Sequence, residues 1–341
     1  MHKSDPMTAA AAPAIINAQH VTRRFGKFTA VRDLSLYVPE GWIVGLIGPS
    51  GSGKTTTVRM LTGTLPRSEG QISVLGEDPQ RFSRQVRERI AYMPQLFSLY
   101  PDLTARENVG FVSAIFGIGP FRRGKLIRRA LEVVELWEAR NTLARDLSGG
   151  MQRRLELACA LVHSPAVLFV DEPTAGIDPI LRQAIWGELR RLRDEGRTLL
   201  VTTQYVAEAE YCDVVAVLAS GALVAVDRPE ALRRSVYGGE VLEIDTDRAV
   251  DPDMLAGVHE VTEVRQQTAR RLIVITDDAA RASPRIMAAM SERGVGVAAI
   301  GEYQPTLSIR IVDFDRQAMA RLDDIAGAIG VPGHCILDGR D

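Results

Sequence analysis

The chain has 341 residues, 46% of them hydrophobic and 25% charged, with a formal net charge of -2. That length suits two domains of roughly 100–200 residues, each with a real core, and the near-neutral balance excludes the global polybasic character of a nucleic-acid binder. Cys159, Cys212 and Cys335 stand far apart without a CxxC spacing, which argues against a disulfide framework or a zinc cluster and fits a reducing compartment.

Residues 1–13 read as a disordered tail. They have no basic start followed by a clean apolar core, so a signal peptide is not indicated. Short strands follow at IINAQHV, VRDLSLYV and WIVGLIG, the last apolar almost throughout, as a strand covered on both faces should be. A Gly-rich loop runs from Gly48 into a helix near Lys54 that continues through VRMLTG, and strands QISVLG and IAYMP come next. From about 97 to 165 helix signals dominate. Thr104 and Glu107 form a capping box ahead of ARENVGFVSAIFG, KLIRRALEVVELW places Leu126, Ala130, Val133, Val134 and Trp137 on one stripe, and a third helix starts near Gly150. Strand AVLFVDE, the amphipathic helix LRQAIWGELRRLR (Leu181, Ile185, Leu189 and Leu192 on one face) and strand TLLVTT return the chain to α/β alternation. The longest apolar run, VVAVLASGALVAV, is shorter than the ~18 residues of a membrane span, and Ser220-Gly221 at its middle marks a β-hairpin. With no span and no leader, the expectation is a cytoplasmic protein that needs another chain for any membrane role. After about 235, VLEID, RLIVIT and LSIRIV read as strands, and SPRIMAAMSERG and FDRQAMARLDDIAGAIG as helices. Together they form a second, small α+β domain over 236–341.

Strands alternating with helices imply a mostly parallel sheet, and such sheets gather ligands at the carboxyl ends of their strands. Gly48, Asp171 and Gln204 all lie just past strand ends, so they are expected to converge. GPSGSGKT (Gly48, Pro49, Ser50, Gly51, Ser52, Gly53, Lys54, Thr55), followed by Thr56, fits the phosphate-loop pattern G-x-x-x-x-G-K-[ST]. In that pattern the backbone N–H groups turn inward around a β-phosphate, Lys54 reaches the β- and γ-phosphates, and the Thr55 hydroxyl ligates Mg²⁺. A tight Gly-rich turn would match the same letters, but the strand before and the helix after are the context the phosphate loop requires. In LFVDE, Asp171 after an apolar strand suits a Mg²⁺ partner, and Glu172 can orient and deprotonate an attacking water.

LSGGMQRRLELACAL opens a helix on Ser-Gly-Gly, an anion site made of a hydroxyl, backbone N–H groups and the helix dipole. With GPSGSGKT and VLFVDEPT in this order, residues 14–235 resemble the nucleotide-binding subunit of ATP-binding cassette (ABC) transporters. The resemblance implies an α/β fold: a P-loop NTPase sheet with an antiparallel N-terminal β subdomain and a helical insertion, followed by the small C-terminal α+β domain. It also implies ATP and Mg²⁺ as ligands. Phe25 is expected to stack on adenine, Gln95 in YMPQ to link Mg²⁺ to the membrane partner, and Asp178 in AGIDP to be the D-loop aspartate. Ser148, Gly149 and Gly150 would meet ATP held by a second cassette, a copy of this chain or a different one. The family's switch histidine is replaced by Gln204, whose amide can donate a hydrogen bond but cannot become cationic. That leaves either a slow, degenerate site or a working one in which Glu172 carries most of the chemistry. The intact Lys54, Gln95, Asp171 and Glu172 favour the latter.

LSGGM with TTQY further resembles the ATPases of bacterial drug-resistance exporters of the anthracycline type. The implied role is ATP hydrolysis at the cytoplasmic face of the membrane beside multi-span permease subunits, with no nucleic acid bound. The alternative is a soluble ABC ATPase acting on nucleic acid or the ribosome, but the coiled coils, zinc modules and tandem cassettes of such chains are not visible. FRRGKLIRR is a basic cluster whose functional reading is a place near acidic lipid headgroups or a permease loop, although a solvated helix face is its commoner meaning. His20 and His163 show no ligand spacing, and Met60, Met93 and Met151 read as packing residues. In the C-terminal domain QPTL runs into SIRIVDF, which departs from the ending of similar exporter ATPases.

Overall fold

The computed structural model describes residues 14–303 apart from Phe97, and the backbone alone at 235–237. The tail at 1–13, the strand LSIRIV, the helix FDRQAMARLDDIAGAIG, the QPTL ending and Cys335 lie outside the described residues. The chain divides into two compact units between Asp227 and Arg228. The break comes directly after the last strand of the first unit's sheet, ahead of a helix that the sequence boundary at 235/236 places with that unit.

The first unit is organised around a six-stranded sheet in the order β5-β6-β7-β3-β8-β9. Strands β3 (Ile43–Ile47), β6 (Val167–Asp171) and β7 (Thr198–Thr203) are buried at every residue, the pattern of strands covered on both faces. They pair in parallel, and β5 (Ile90–Met93) and β8 (Val214–Ala219) extend the parallel array on either side. Strand β9 (Ala222–Asp227) closes the edge antiparallel to β8, the hairpin expected at Ser220-Gly221. A three-stranded antiparallel sheet, β2-β1-β4, is formed by β1 (Ala14–Phe25), β2 (Phe28–Pro39) and β4 (Glu69–Val74). Leu34, Leu36 and Val38 alternate inward from β2 and join Val44, Leu46 and Phe169 of the central sheet in one core.

Helix α1 (Lys54–Leu61) follows β3, and a single turn, α2 (Arg84–Arg87), precedes β5. The helical insertion holds α3 (Ala105–Ile115), α4 (Pro120–Val133) and α5 (Gly149–Leu161). The capping box at Thr104 and Glu107 is formed, with the Thr104 side chain accepting from the Glu107 amide and Glu107 accepting from the Thr104 amide. α4 differs from the expected 125–137 span. Pro120 at its first turn starts it earlier, where a missing N–H costs nothing. It stops at Val133, because Glu135 turns left-handed at φ 56, so Trp137 falls outside the helix. Its buried stripe is Ile127, Ala130 and Leu131, continued by Val134. α6 (Pro179–Asp194) joins β6 to β7 and buries Ile185, Trp186, Leu189 and Leu192.

Among its described residues the second unit has α7 (Pro229–Tyr237), β10 (Glu240–Thr246), β11 (Val261–Thr268), β12 (Arg271–Thr276), α8 (Ala279–Glu292) and β13 (Val297–Glu302). Its sheet runs β11-β12-β10-β13, all antiparallel, with α8 packing Ala282, Ile286 and Met290 into the core.

Candidate active site

Strands β6, β7 and β3 are neighbours, so the residues that leave their carboxyl ends come together. The Gly48 amide donates to the Thr203 carbonyl at 3.3 Å, and the Glu172 amide to the Thr202 carbonyl at 3.1 Å. These bonds join Gly48 and the residue after Asp171 to the end of β7; Gln204, the third residue expected to converge, follows Thr203 and is exposed, with no side-chain bond to either among the described residues.

The loop after β3 needs its glycines for space. A Cβ on Gly48 would sit 2.1 Å from the Leu218 carbonyl oxygen, and one on Gly53 would meet the Ala30 carbonyl at 2.6 Å, with φ at +103° besides. Gly53 is the N-cap of α1 and offers no side chain to the first turn, so the N–H groups at Lys54, Thr55 and Thr56 open the helix uncapped. The Ser52 hydroxyl is buried without a hydrogen-bond partner among the described residues. Uncapped amides, an orphaned hydroxyl and a close-fitting glycine turn are the surroundings that a phosphate fits.

Lys54 is 4% exposed. Its Nζ donates to the Gly48 carbonyl at 2.9 Å and the Pro49 carbonyl at 3.0 Å, and lies 3.4 Å from Glu172 Oε1. The Gln95 amide donates to the other oxygen, Glu172 Oε2, at 2.7 Å. Glu172 is therefore clamped between the loop lysine and the segment after β5, on a left-handed backbone at φ 49. Asp171, fully buried, accepts from Thr202 and, at 3.2 Å, from Thr55. The Tyr92 hydroxyl lies 3.4 Å from its second oxygen. Burial and this carboxylate push the Tyr92 phenol up. The pairing of Thr55 with Asp171 supplies two oxygen donors on one spot, which suits a hard divalent cation.

Sequence reasoning missed two buried networks that hold this geometry. Arg153, on the second turn of α5, donates to the carbonyls of Pro94, Asp171, Glu172 and Pro173 at 2.7 to 3.2 Å and pairs with Glu156 at 2.7 Å. Burial pushes the Glu156 carboxyl up, while the Ser98 amide and Arg153 pull it back. The second network joins the turn after Glu172 to the segment after Gln204. Thr174 donates to Glu208 at 2.5 Å, Arg182 lies 3.4 Å from the same oxygen, and its guanidinium stacks 4.4 Å over the Tyr205 ring. The only signal in the letters was charge inside otherwise apolar helix faces.

A cavity of about 360 Å³ is lined by Gln95, Glu172, Asp178, Gly149, Gly150 and Leu181, so these parts of the expected site share one space. Asp178 caps α6, accepting from the Ile180 and Leu181 amides at 3.0 Å. Ser148 caps α5, accepting from the Met151 amide at 3.3 Å, and is exposed, with no bond to the phosphate loop among the described residues. Gln204 is likewise exposed, directly after Thr203. Phe25 is 45% exposed at the end of β1, with the Arg23 guanidinium 4.4 Å over its ring. His163 and His20 take part in no metal cluster, and no group of acids, histidines and cysteines among the described residues could hold a metal by itself. No helix among them is long and apolar enough to cross a membrane.

Comparison with known proteins matches residues 31–175 to the family described as ABC transporter. The chain is 40% identical over 257 residues to Nod factor export ATP-binding protein I of Burkholderia lata, covering 75% of this chain and 84% of that protein. It is 38% identical over 219 residues to the probable multidrug ABC transporter ATP-binding protein YbhF of Escherichia coli, over 64% of this chain but only 38% of the relative's length. A solved dimeric ATP-binding cassette in a post-hydrolysis state, bound to ADP and Pi, is 27% identical with a TM-score of 0.58, covering 63% of this chain and 98% of that one. An ATP-binding cassette in its ADP conformation, 24% identical over 65% of this chain and 94% of that one, shares the fold at a TM-score of 0.59.

Proposed function

Because this chain belongs to the ABC transporter ATP-binding family, we propose that it is the ATP-hydrolysing, energy-coupling subunit of an exporter of drugs, lipids or other hydrophobic compounds. The observation that carries this reading is the position of Glu172. It stands at the end of β6 between Lys54 Nζ and the Gln95 amide, beside a loop shaped for phosphate.

In this reading Lys54 and the amides of Gly51 to Thr56 hold the β- and γ-phosphates, and Phe25 stacks on adenine. Thr55, Asp171 and Gln95 would hold Mg²⁺, which would supply charge neutralisation at the phosphates. Glu172 accepts a proton from the water that attacks the γ-phosphorus in line, and the bond to the ADP oxygen breaks. Gln204 donates a hydrogen bond to the γ-phosphate, where a cation is not available. Ser148, Gly149 and Gly150 close over ATP held by a second cassette, with Asp178 at the seam, so that two protomers enclose two nucleotides. A multi-span permease docks where Gln95 reports to the surface. Leu96, the next residue, is 81% exposed, and Tyr100 and Phe111 meet edge to face at 4.7 Å close by in sequence on the same insertion. The chain then works peripherally at the cytoplasmic face of the membrane; a role in export is in keeping with the name of one relative, a Nod factor export ATP-binding protein.

The test is steady-state ATP turnover by the purified chain with its permease. Glu172→Gln is expected to lower the rate by about 10²–10⁴-fold, the range of a general base, while nucleotide still binds. Gln204→Ala is expected to cause a partial loss of about tenfold, one hydrogen bond to a charged group. Turnover in Glu172→Gln equal to that of the parent would remove the assignment.

A further inference from the structure

We propose that the outer face of α4 binds the anionic surface of a lipid bilayer directly, with Phe121 inserted among the acyl chains and Arg122, Lys125 and Arg129 on the headgroups. α4 buries Ile127, Ala130, Leu131 and Val134 against the rest of the insertion. The opposite face carries Phe121, Lys125 and Arg129 at successive four-residue steps; Phe121 and Lys125 lie on its outer side, and Arg129 lies at its edge, where it also lines a small crevice with Ala130, Leu161 and Arg197. Phe121 is 101% exposed, the most exposed of the large apolar side chains among the described residues. An aromatic ring with no contact on the outside of a helix gains nothing from folding. Arg122, Lys125 and Arg129 are exposed too, and their side chains make no hydrogen bond or ion pair among the described residues. The acid on this face, Glu132, is already paired with Arg128 at 2.7 Å.

The charge is local and not a property of the whole chain. Arg122, Arg123, Lys125, Arg128 and Arg129 fall within one helix of a protein whose formal net charge is -2. A negative chain is repelled by an acidic membrane unless one patch faces it, so the patch also sets orientation. Cations around a protruding aromatic are the composition of interfacial helices, in which the ring enters the headgroup boundary and the cations stay with the phosphates. A nucleic acid would call for several stacking rings along a groove. Here one ring stands alone on a convex face. The inference rests on the proposed work at a membrane, but its test does not depend on ATP turnover.

The experiment is co-sedimentation of the purified full chain with vesicles of phosphatidylcholine alone or containing phosphatidylglycerol, at low and high salt. We expect binding to the anionic vesicles only, weakening as salt shortens the screening length toward ~3 Å at 1 M. Replacing Arg122, Lys125 and Arg129 together by Gln should weaken it about 100-fold, at roughly fivefold per cation. Phe121→Ser should weaken it further at every salt concentration. Phe121→Trp should bind normally and show a blue-shifted emission on binding. ATP turnover without vesicles should be the same in all these variants, which reports that they fold. No binding to anionic vesicles at low salt overturns the proposal. So does equal binding by the triple variant, or an emission from the Phe121→Trp variant that does not shift. Equal capture by soluble polyglutamate without a shift would show an acidic polypeptide to be the partner and would overturn it as well. Vesicle binding with no ATP hydrolysis would leave this proposal standing and remove the transport reading.

Discussion

At the end of β6 every functional group is already tied. Lys54 has three oxygens around its amine, Glu172 has a partner on each oxygen, and Asp171 meets three hydroxyls. At the start of α5 and the end of β7 the groups are open: Ser148 and Gln204 are exposed, and Gln204 makes no side-chain bond among the described residues. The two regions belong to one proposed reaction, yet one is finished within the chain and the other faces outward. A group that must hold charge at fixed distances is best pre-organised by buried partners. A group that acts only when a second body arrives must stay accessible. In the proposed reaction the closed region would carry the charge chemistry, while of the open groups Ser148 would act in closure and Gln204 would meet the γ-phosphate once it is bound.

The largest effect comes from testing whether the open region acts across two chains. Lys54→Ala removes the phosphate cation and Ser148→Glu places a charge where an anion should land. Each alone is expected to reduce ATP turnover by at least about 10²-fold, the usual cost of losing one charge-stabilising donor. Mixed together, the two variants can form a pair with one undamaged composite site, and turnover should partly recover. If mixing restores nothing while both variants still bind nucleotide, Ser148 acts within its own chain and the comparison fails.

The second effect tests how the closed region is held. Arg153 lies little more than one turn beyond Ser148 on α5, and it binds the backbone of the turn that carries Asp171 and Glu172. Arg153→Ala leaves Glu156 buried without its cation and several carbonyls without a donor, which should cost about 3–5 kcal/mol of stability. Arg153→Leu with Glu156→Leu removes both charges and should recover much of that loss in a denaturant titration. Turnover should stay low in the double variant, because the carbonyls behind Glu172 remain untied. Full turnover in the double variant would show that Arg153 fills space and does not position the carboxylate.

The strands and the phosphate loop were legible because their signals are local. IVGLI and LFVD are apolar runs that a covered parallel strand requires, and GPSGSGKT encodes its own close approaches. The order β5-β6-β7-β3-β8-β9 was not legible, since it depends on crossovers and not on the composition of any strand. Arg153, Glu156 and Glu208 escaped for a related reason. Their partners are distant in sequence, and a charged residue in a helix reads as solvent-facing until its neighbours are known. α4 was misplaced at both ends because the apolar spacing continues to Trp137 while the backbone turns at Glu135. In the second unit β11 and β13 were missed, and their burial patterns, with many exposed positions, show why the apolar alternation was too weak to read.

The smallest effect probes the far end of α5, where a closed region has no chemistry to serve. His163 stacks on Phe116 with ring centroids 3.7 Å apart and planes 5° from parallel. Its Nε2 lies 3.0 Å from the Ile90 carbonyl, so that nitrogen carries the proton, and the buried Nδ1 has no partner. A second proton would place a charge there with nothing to accept it. The nearby helix end favours a cation by less than about 1 kcal/mol when screened. Burial outweighs it and, with Arg197, pushes the imidazole below its ordinary 6.5. The sign follows from proton counts: between the lowered folded value and 6.5, the unfolded chain binds more protons than the folded one. Stability from this site is complete above 6.5 and is lost as pH falls below it, by at most about 1.4 kcal/mol per pH unit. Thermal unfolding between pH 5 and pH 8 should therefore show a steeper acid-side decline in the parent than in His163→Phe, which keeps the stack and cannot titrate. His163→Phe should start slightly lower at pH 8, by about 1 kcal/mol for the lost bond to Ile90. Parallel pH profiles in the two proteins would mean that the imidazole titrates alike in the folded and unfolded chain, and that the packing of α5 on α3 is indifferent to its charge.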